Sequence, residues 1–114
     1  MAKVKLITKD VVRKLDSFPL YSQDGKAEDA QVLFKVFNPY GPQSWYILEA
    51  SAANEAGDRA LYGYMTAHGY GEYGYVMLSE LENVRVNVFG VKLPLERDRY
   101  FSGTIADAKR DAGI

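Results

Sequence analysis

The 114-residue chain has the length of one domain, and 47% of its residues are hydrophobic, enough for a buried core. It has no cysteine, which excludes disulfides and thiolate metal sites. No apolar run approaches the roughly 20 residues that cross a bilayer, and the basic N-terminus lacks the apolar stretch of a secretory signal. We therefore expect one cytoplasmic domain over residues 1–114, with no membrane partner.

The net charge of −1 hides a segregated charge pattern. Residues 1–15 carry five basic side chains and one acidic side chain. Residues 16–82 carry three basic and ten acidic side chains, and residues 83–114 carry six basic and four acidic side chains. The acidic middle disfavours a phosphate-tracking surface there, because such surfaces are lined by Lys and Arg. It indicates a solvated acidic face or a partner with a basic surface.

The chain begins with a predicted short helix. Thr8 can cap it, Val11, Val12 and Leu15 form one apolar face, and Pro19 forbids its continuation. Alternating hydrophobic residues then predict three strands joined by turn-rich segments. These strands span residues 32–37, 44–49 and 60–65.

The stretch Leu61–Glu82 holds five of the nine tyrosines, four of the ten glycines and the only histidine. Gly63 indicates a bulge or a close backbone approach. A glycine-rich loop is predicted over residues 68–74 and a fourth strand over residues 75–78. Ser79 and Glu82 have the spacing of a capping box, which predicts a helical turn.

Residues 84–91 alternate again and predict a fifth strand, and residues 104–112 predict a terminal helix. Short strands joined by turns pair antiparallel by default. The predicted fold class is therefore α+β, a single antiparallel sheet of about five short strands with a helix near each terminus. An exposed sheet edge in so small a domain also makes a homodimer an expectation.

Residues 69–74 match the dinucleotide pattern G-x-G-x-x-G letter for letter. That pattern works only where a helix N-terminus follows and presents its amides to a pyrophosphate. A strand-like run follows here, and no βαβ unit surrounds it. We therefore predict a loop between two strands and no cofactor.

His68 is the candidate for catalysis. Without cysteine or a second imidazole, zinc would need carboxylates for every other ligand, and no G-x-S-x-G elbow supports a Ser–His–Asp arrangement. A small hydrolase built from His68 and carboxylates such as Glu72 is the third hypothesis, and no catalytic or metal-binding residue is assigned.

The aromatic residues of the predicted strands suggest a different role. One sheet face must be core, whereas the other keeps polar aromatics near water, either as a wet sheet margin or as a binding surface. The charge run 96–99 forms local ion pairs or offers an arginine to a partner. The predicted protein-binding residues are Trp45, Tyr46, Glu49, Tyr64, Glu72, Tyr73, Arg97 and Asp98.

The main alternative is a nucleic-acid-binding accessory protein that combines a basic N-terminus with aromatics. The basic residues concerned are Lys3, Lys5, Lys9, Arg13 and Lys14. This alternative ranks second because the tyrosine-rich segment itself is acidic.

Several short sequence motifs occur in the order typical of a small uncharacterised bacterial family, known as a domain of unknown function, and the chain resembles that family. They include Leu20-Tyr21-Ser22, Trp45-Tyr46 with Glu49, Glu72-Tyr73-Gly74-Tyr75, Leu78-Ser79-Glu80-Leu81-Glu82, and Leu93-Pro94-Leu95-Glu96-Arg97-Asp98-Arg99-Tyr100-Phe101. The resemblance covers about residues 7–101, and the chain departs from the pattern over residues 66–71 and 86–91.

Members of that family are typical of plasmids, integrated conjugative elements and phages. The resemblance therefore implies an accessory protein of a mobile element, in one form an inhibitor of a host defence complex. It implies no established activity and supplies no catalytic residues.

Overall fold

The computed structural model describes residues 5–114 and contains two runs of strands separated by a short helix, with a further helix near each end. Its helices are α1 Lys9–Ser17, α2 Leu78–Asn83 and α3 Ile105–Asp111, with a 3-10 turn at Ala27–Asp29. Its strands are β1 Gln31–Val32, β2 Phe34–Phe37, β3 Ser44–Ala50, β4 Ala60–Ala67, β5 Tyr70–Met77, β6 Arg85–Val88, β7 Val91–Pro94, β8 Glu96–Asp98 and β9 Gly103–Thr104.

The main sheet has five antiparallel strands in the order β5-β4-β3-β2-β8, and β1–β9 and β6–β7 form two small sheets. The predicted α+β class, with its antiparallel sheet and a helix near each end, is confirmed. The two small sheets were not predicted. Within residues 5–114, no helix is long and apolar enough to cross a membrane.

Both faces of the main sheet are covered. The first core lies under α1 and α2, and Val11 and Leu15 of α1 contribute to it, as the apolar spacing predicts. The second core lies on the opposite face under α3, which contributes Ile105 and Ala108. Burial on both faces explains why β3 is buried over five consecutive residues instead of alternating.

A β-bulge in β3 decides which side chains reach the second core. The register of β3 against β4 shifts between Ile47 and Glu49. Ile47 stays in the first core, while Leu48 lies in the second core and Glu49 pairs across from Tyr62 on the same face. The bulge therefore places Glu49 on the second-core face, whereas strict alternation would place it on the first-core face.

Gly63 makes this bulge possible, which confirms the prediction of a close backbone approach. A Cβ at Gly63 would lie 2.2 Å from the carbonyl oxygen of Tyr46 and 3.0 Å from the Cα of Ile47. Only glycine fits against β3 at this point.

The predicted loop over residues 68–74 is wrong. Only His68 and Gly69 form the turn, with φ of 52° and 77°, the left-handed pair that closes a two-residue hairpin. Pairing of β4 with β5 then runs without interruption from Ala67–Tyr70 to Ala60–Met77. Gly71 and Gly74 suggested a loop, but they lie within a regular edge strand.

The predicted Ser79–Glu82 capping box is also wrong, because the N-cap of α2 is Met77, two residues before Ser79. The carboxylate of Glu80 accepts a hydrogen bond from the amide of Met77 at 2.9 Å. Ser79 instead donates its hydroxyl to Asp58 at 2.6 Å, and Glu82 is buried, where it accepts a hydrogen bond from the amide of Leu6 at 3.1 Å.

Beyond α2, the predicted fifth strand over residues 84–91 is two strands, β6 and β7, that form a hairpin. The turn between them contains Phe89 and Gly90, both with positive φ. The charge run at residues 96–99 contributes β8, which pairs with β2 at the edge of the main sheet. Its charges suit an edge strand, where they discourage further pairing.

Replacement of Gly63 by alanine tests the bulge. We expect Gly63→Ala to destabilise the fold by roughly 2–3 kcal/mol, because a methyl group must displace the backbone of β3. Gly74→Ala in β5 is the matched control, since its Cβ would meet only the flexible Met65 side chain at 3.4 Å. Chemical denaturation of both variants measures the difference, and equal stabilities would contradict the role of Gly63.

Candidate functional site

Four tyrosines of the β4–β5 hairpin lie on one face of the sheet. Tyr62 pairs with Tyr75 and Tyr64 with Tyr73, so their side chains share the face that carries the second core. The ring centroids are 4.9 Å apart in the pairs Tyr62–Tyr75 and Tyr64–Tyr73. Tyr64 is buried, whereas 43% of Tyr73 and 56% of Tyr75 are exposed. The hairpin thus presents a surface of phenol rings.

Glu49 lies beside these rings and is only 2% exposed. Its carboxylate accepts hydrogen bonds from the backbone amides of Tyr21 at 2.7 Å and Gln23 at 2.8 Å. A buried carboxylate needs such donors, and here the segment before β1 supplies them. No ion pair among the described residues includes Glu49.

The side chain of Gln23 fixes the same segment from its other end. Its amide nitrogen donates to the carbonyl oxygens of Gln31 at 2.8 Å and Leu48 at 2.9 Å, and its oxygen accepts from the amide of Gln31 at 2.7 Å. Tyr21 is held with a φ of +74°, a conformation that is unfavourable for a residue with a side chain. Glu49 and Gln23 therefore hold this segment in one conformation over the sheet.

A cleft of about 260 Å³ lies between this segment and the hairpin, and we call it the tyrosine cleft. Among residues 5–114, its lining carries two carboxylates, Asp24 and Glu49, and no Lys, Arg or His. The lining residues are Gln23, Asp24, Gly25, Ala27, Ala30, Leu48, Glu49, Tyr62 and Tyr73.

The carboxylates affect the tyrosines around the cleft. Burial, followed by the negative charges of Glu49 and Asp24, raises the pKa of Tyr62. Burial and a hydrogen bond with Tyr21 raise the pKa of Tyr75, and the charge of Glu49 adds to this. Two carboxylates therefore act on the phenol of Tyr62 in the wall of the cleft.

On the α3 side, a cation already lies against the tyrosine cluster. The ammonium of Lys109 is 5.7 Å from the ring centroid of Tyr64 and 2.8 Å from the carboxylate of Glu28. Lys109 thus makes a cation–π contact with Tyr64 and an ion pair with Glu28.

A polar cluster of Lys35, Tyr46, Asp98 and Asp111 lies on the same face, towards β8, and we call it the second polar cluster because the Lys109–Glu28 pair is the first. The ammonium of Lys35 contacts Asp111 at 2.7 Å and Asp98 at 3.3 Å, and the hydroxyl of Tyr46 donates to Asp111 at 2.8 Å. Burial, and then the hydrogen bond to Asp111, raise the pKa of Tyr46. This cluster attaches the C-terminal end of α3 to the sheet.

The neighbours of Asp98 in this cluster favour its charged form. Burial works against its charge, but hydrogen bonds from the amides of Tyr100 and Phe101, together with the ammonium of Lys35, outweigh burial and lower the pKa of the Asp98 carboxyl. Its charge is therefore part of the stability of the folded state.

The predicted binding residues do not form one surface. Tyr46, Glu49 and Tyr64 lie on the tyrosine face and are buried, and Glu49 lines the tyrosine cleft. Tyr73 is exposed on that face. Asp98 pairs with Lys35 of the second polar cluster, near the opposite edge of the sheet.

The other three predicted binding residues lie on the face of the sheet that carries the first core. Trp45 packs against the first core, and Glu72 pairs across from Met65 on the same side of the sheet. Arg97 pairs across from Val36 and lines a separate cleft with Lys5 and Thr8. Adjacent residues of a strand point to opposite faces, which is why Arg97 and Asp98 are separated.

The residues of the two alternative functions are also dispersed. His68 lines a cleft with Lys35 and Asp111, whereas Glu72 lines a different one with Trp45. Across residues 5–114, no group of three or more acidic or histidine side chains is placed to hold a metal ion.

The basic residues of the nucleic-acid alternative lie away from the tyrosines. Lys3 is outside the described residues. Lys9, Arg13 and Lys14 are on α1, which packs on the face opposite the tyrosines, so they form no joint surface with the cleft.

Sequence reasoning missed the residues that close the cleft. Tyr21, Gln23 and Asp24 lie in an irregular segment whose only signal is a turn-forming composition. Nothing in that composition indicates a contact with Glu49, which lies 28 and 26 positions from the first two.

The fold is an α+β domain built on a five-stranded antiparallel sheet, with a tyrosine-lined cleft that carries two carboxylates. The chain belongs to the family DUF2958, described as a protein of unknown function, whose family model matches residues 6–108. No curated protein and no solved structure matches the chain.

Glu49→Ala tests the anchoring of the segment over the cleft. We expect a loss of about 3 kcal/mol of unfolding free energy, because the amides of Tyr21 and Gln23 lose a charged acceptor. Hydrogen exchange should accelerate at these two amides, with Glu72→Ala as the exposed control. Unchanged exchange at Tyr21 and Gln23 would remove Glu49 from this role.

Asp98→Asn tests the second polar cluster. Because the pKa of Asp98 in the folded protein lies below its ordinary value of 3.8, its contribution is present above that value and is lost as pH falls through the lower folded value. Asparagine keeps an oxygen for the amides of Tyr100 and Phe101 but removes the charge beside Lys35. We expect lower stability at pH 7 and a shallower acid loss than in wild type.

Denaturation curves between about pH 2 and pH 7 measure this difference. Asp10→Asn is the control, because the Asp10–Arg13 pair is exposed and contributes little. An acid profile of Asp98→Asn that matches the wild type would contradict the assignment.

Proposed function

We propose that this protein is a non-enzymatic binding module that engages a protein partner through the tyrosine cleft. The observation that supports this most is the exposure of Tyr73, which lines the cleft, and of Tyr75, whose ring centroid is 4.9 Å from that of the cleft residue Tyr62. Tyrosine is enriched at binding surfaces because it offers a large contact area with little rotamer entropy to lose.

The rigidity of the cleft supports the proposal independently. Binding is stronger when the free surface already has its bound conformation, because less entropy is lost on association. Glu49 and Gln23 hold one wall through five hydrogen bonds, and the β4–β5 pairing holds the other.

An accessory protein of a mobile genetic element that inhibits a host defence complex is one form of this function. Its support is the family resemblance alone, and the same surface would serve any protein partner. Expression of the chain in a defended host, scored by the efficiency of plasmid or phage transfer, tests this form.

Retention of a partner from host lysate tests the general proposal. We expect the wild-type chain to retain a protein that Tyr73→Ala and Tyr75→Ala each retain less well. A central tyrosine contributes about 2 kcal/mol, or roughly thirtyfold in Kd. Tyr64 is unsuitable for this test because it is buried, so its removal would disturb the core.

Tyr40→Ala is the matched control, because Tyr40 is 54% exposed but lies in the turn between β2 and β3. It should retain the partner as wild type does. A retained protein that is indifferent to Tyr73 and Tyr75, or the absence of any retained protein, would refute the use of the tyrosine cleft.

A further inference from the structure

We infer that the tyrosine cleft receives an arginine side chain of the protein partner, with the guanidinium stacked on the tyrosine rings and paired with Glu49 and Asp24. This inference rests on the proposed function, since it names the chemical group that the partner inserts. Three features of the cleft point to it: the rings, the carboxylates and the absence of any cationic side chain from the part of the lining that the structure describes.

The rings favour a planar cation. Tyr62 and Tyr73 are within 13° of parallel, with centroids 6.1 Å apart, so they present similarly oriented π-faces. The face of a tyrosine ring carries negative electrostatic potential and attracts cations within about 6 Å. A flat guanidinium can stack on such a face, whereas an ammonium acts as a point charge.

The chain itself shows that this cluster accommodates a cation. Lys109 lies over the ring of Tyr64, the direct neighbour of Tyr73, and Glu28 neutralises its charge. The tyrosine cleft has the same two components, tyrosine ring and carboxylate, and its lining within residues 5–114 includes no Lys, Arg or His.

The carboxylates supply the countercharge. Glu49 is buried and is hydrogen-bonded only to two amides, so each of its oxygens keeps a further acceptor position. A charge this deep is weakly screened by salt and by water, which strengthens its attraction for a cation at the cleft mouth. Asp24, exposed at the same cleft, adds a second negative charge.

The charge of the whole segment agrees with this inference. Residues 16–82, which include both walls of the cleft, carry ten acidic and three basic side chains. A partner with a basic surface would be attracted over a distance and would then place one arginine in the cleft.

Short peptides test the inference without the natural partner. The probe is acetyl-Gly-Arg-Gly-amide, and the matched control is the same peptide with citrulline, which keeps the shape of arginine but has no charge. Titration into labelled protein, followed by amide chemical shifts, should move the signals of Gln23, Tyr62 and Tyr73. We expect citrulline to bind about tenfold more weakly and the lysine peptide to fall between the two.

Variants then assign the two parts of the cleft. Tyr73→Ala and Asp24→Asn should each weaken binding of the arginine peptide, whereas Tyr40→Ala should not. Glu49→Gln is expected to weaken it most, with its amide spectrum checked to confirm that the fold is kept. If Glu49→Gln unfolds, Asp24→Asn with the citrulline comparison carries the electrostatic test.

The outcomes separate this inference from the proposed function. Equal binding of the arginine and citrulline peptides, shifts outside the cleft, or no shift at millimolar peptide would each overturn the arginine assignment. If a partner is nevertheless retained in a Tyr73-dependent way, the cleft binds proteins through another group. If the arginine peptide binds but partner retention ignores Tyr73, the proposed function fails instead.

Discussion

The carboxylate of Glu49 is the group on which the site depends. A bulge in β3 turns it towards the tyrosine face, and burial then requires that its oxygens be hydrogen-bonded. The amides of Tyr21 and Gln23 meet that requirement, and in doing so they bring an irregular segment over the sheet. Without this contact the hairpin tyrosines would form an open surface instead of one wall of a cleft.

The bulge in turn depends on a glycine in the neighbouring strand. Gly63 leaves room for the carbonyl of Tyr46 where any side chain would collide with it. The same two strands carry the first core on one side and the tyrosine cluster on the other. Structure and candidate function are therefore linked at a single position, where a change in backbone packing would also move Glu49.

Two tyrosines of this face contribute to stability, and two are available for the proposed recognition. Tyr46 and Tyr64 are buried in the second core, while Tyr73 and Tyr75 stay exposed on the same face. A phenol suits both settings, because its ring packs against apolar atoms and its hydroxyl can remain in water. A ring surface beside buried negative charge is a suitable environment for a cation, and the Lys109–Tyr64 contact is an example within the chain.

The sequence by itself determined the local features of this protein. Alternation and capping predicted α1, β3, β4 and the terminal helix, and Gly63 indicated a close backbone approach. Composition identified the tyrosine-rich hairpin as the region of interest. These features follow from the neighbours along the chain, which the sequence shows directly.

Only the tertiary structure decided which residues act together. The glycine-rich composition of residues 68–74 indicated a loop, yet pairing with β4 holds five of these seven residues in a strand. Strict alternation along β3 would put Glu49 on the first-core face. The bulge that moves it to the tyrosine face is fixed by packing between strands and not by the local sequence pattern. Tyr21 and Gln23 could not be predicted as partners of Glu49, since that contact joins residues far apart in the chain through the burial of one charge.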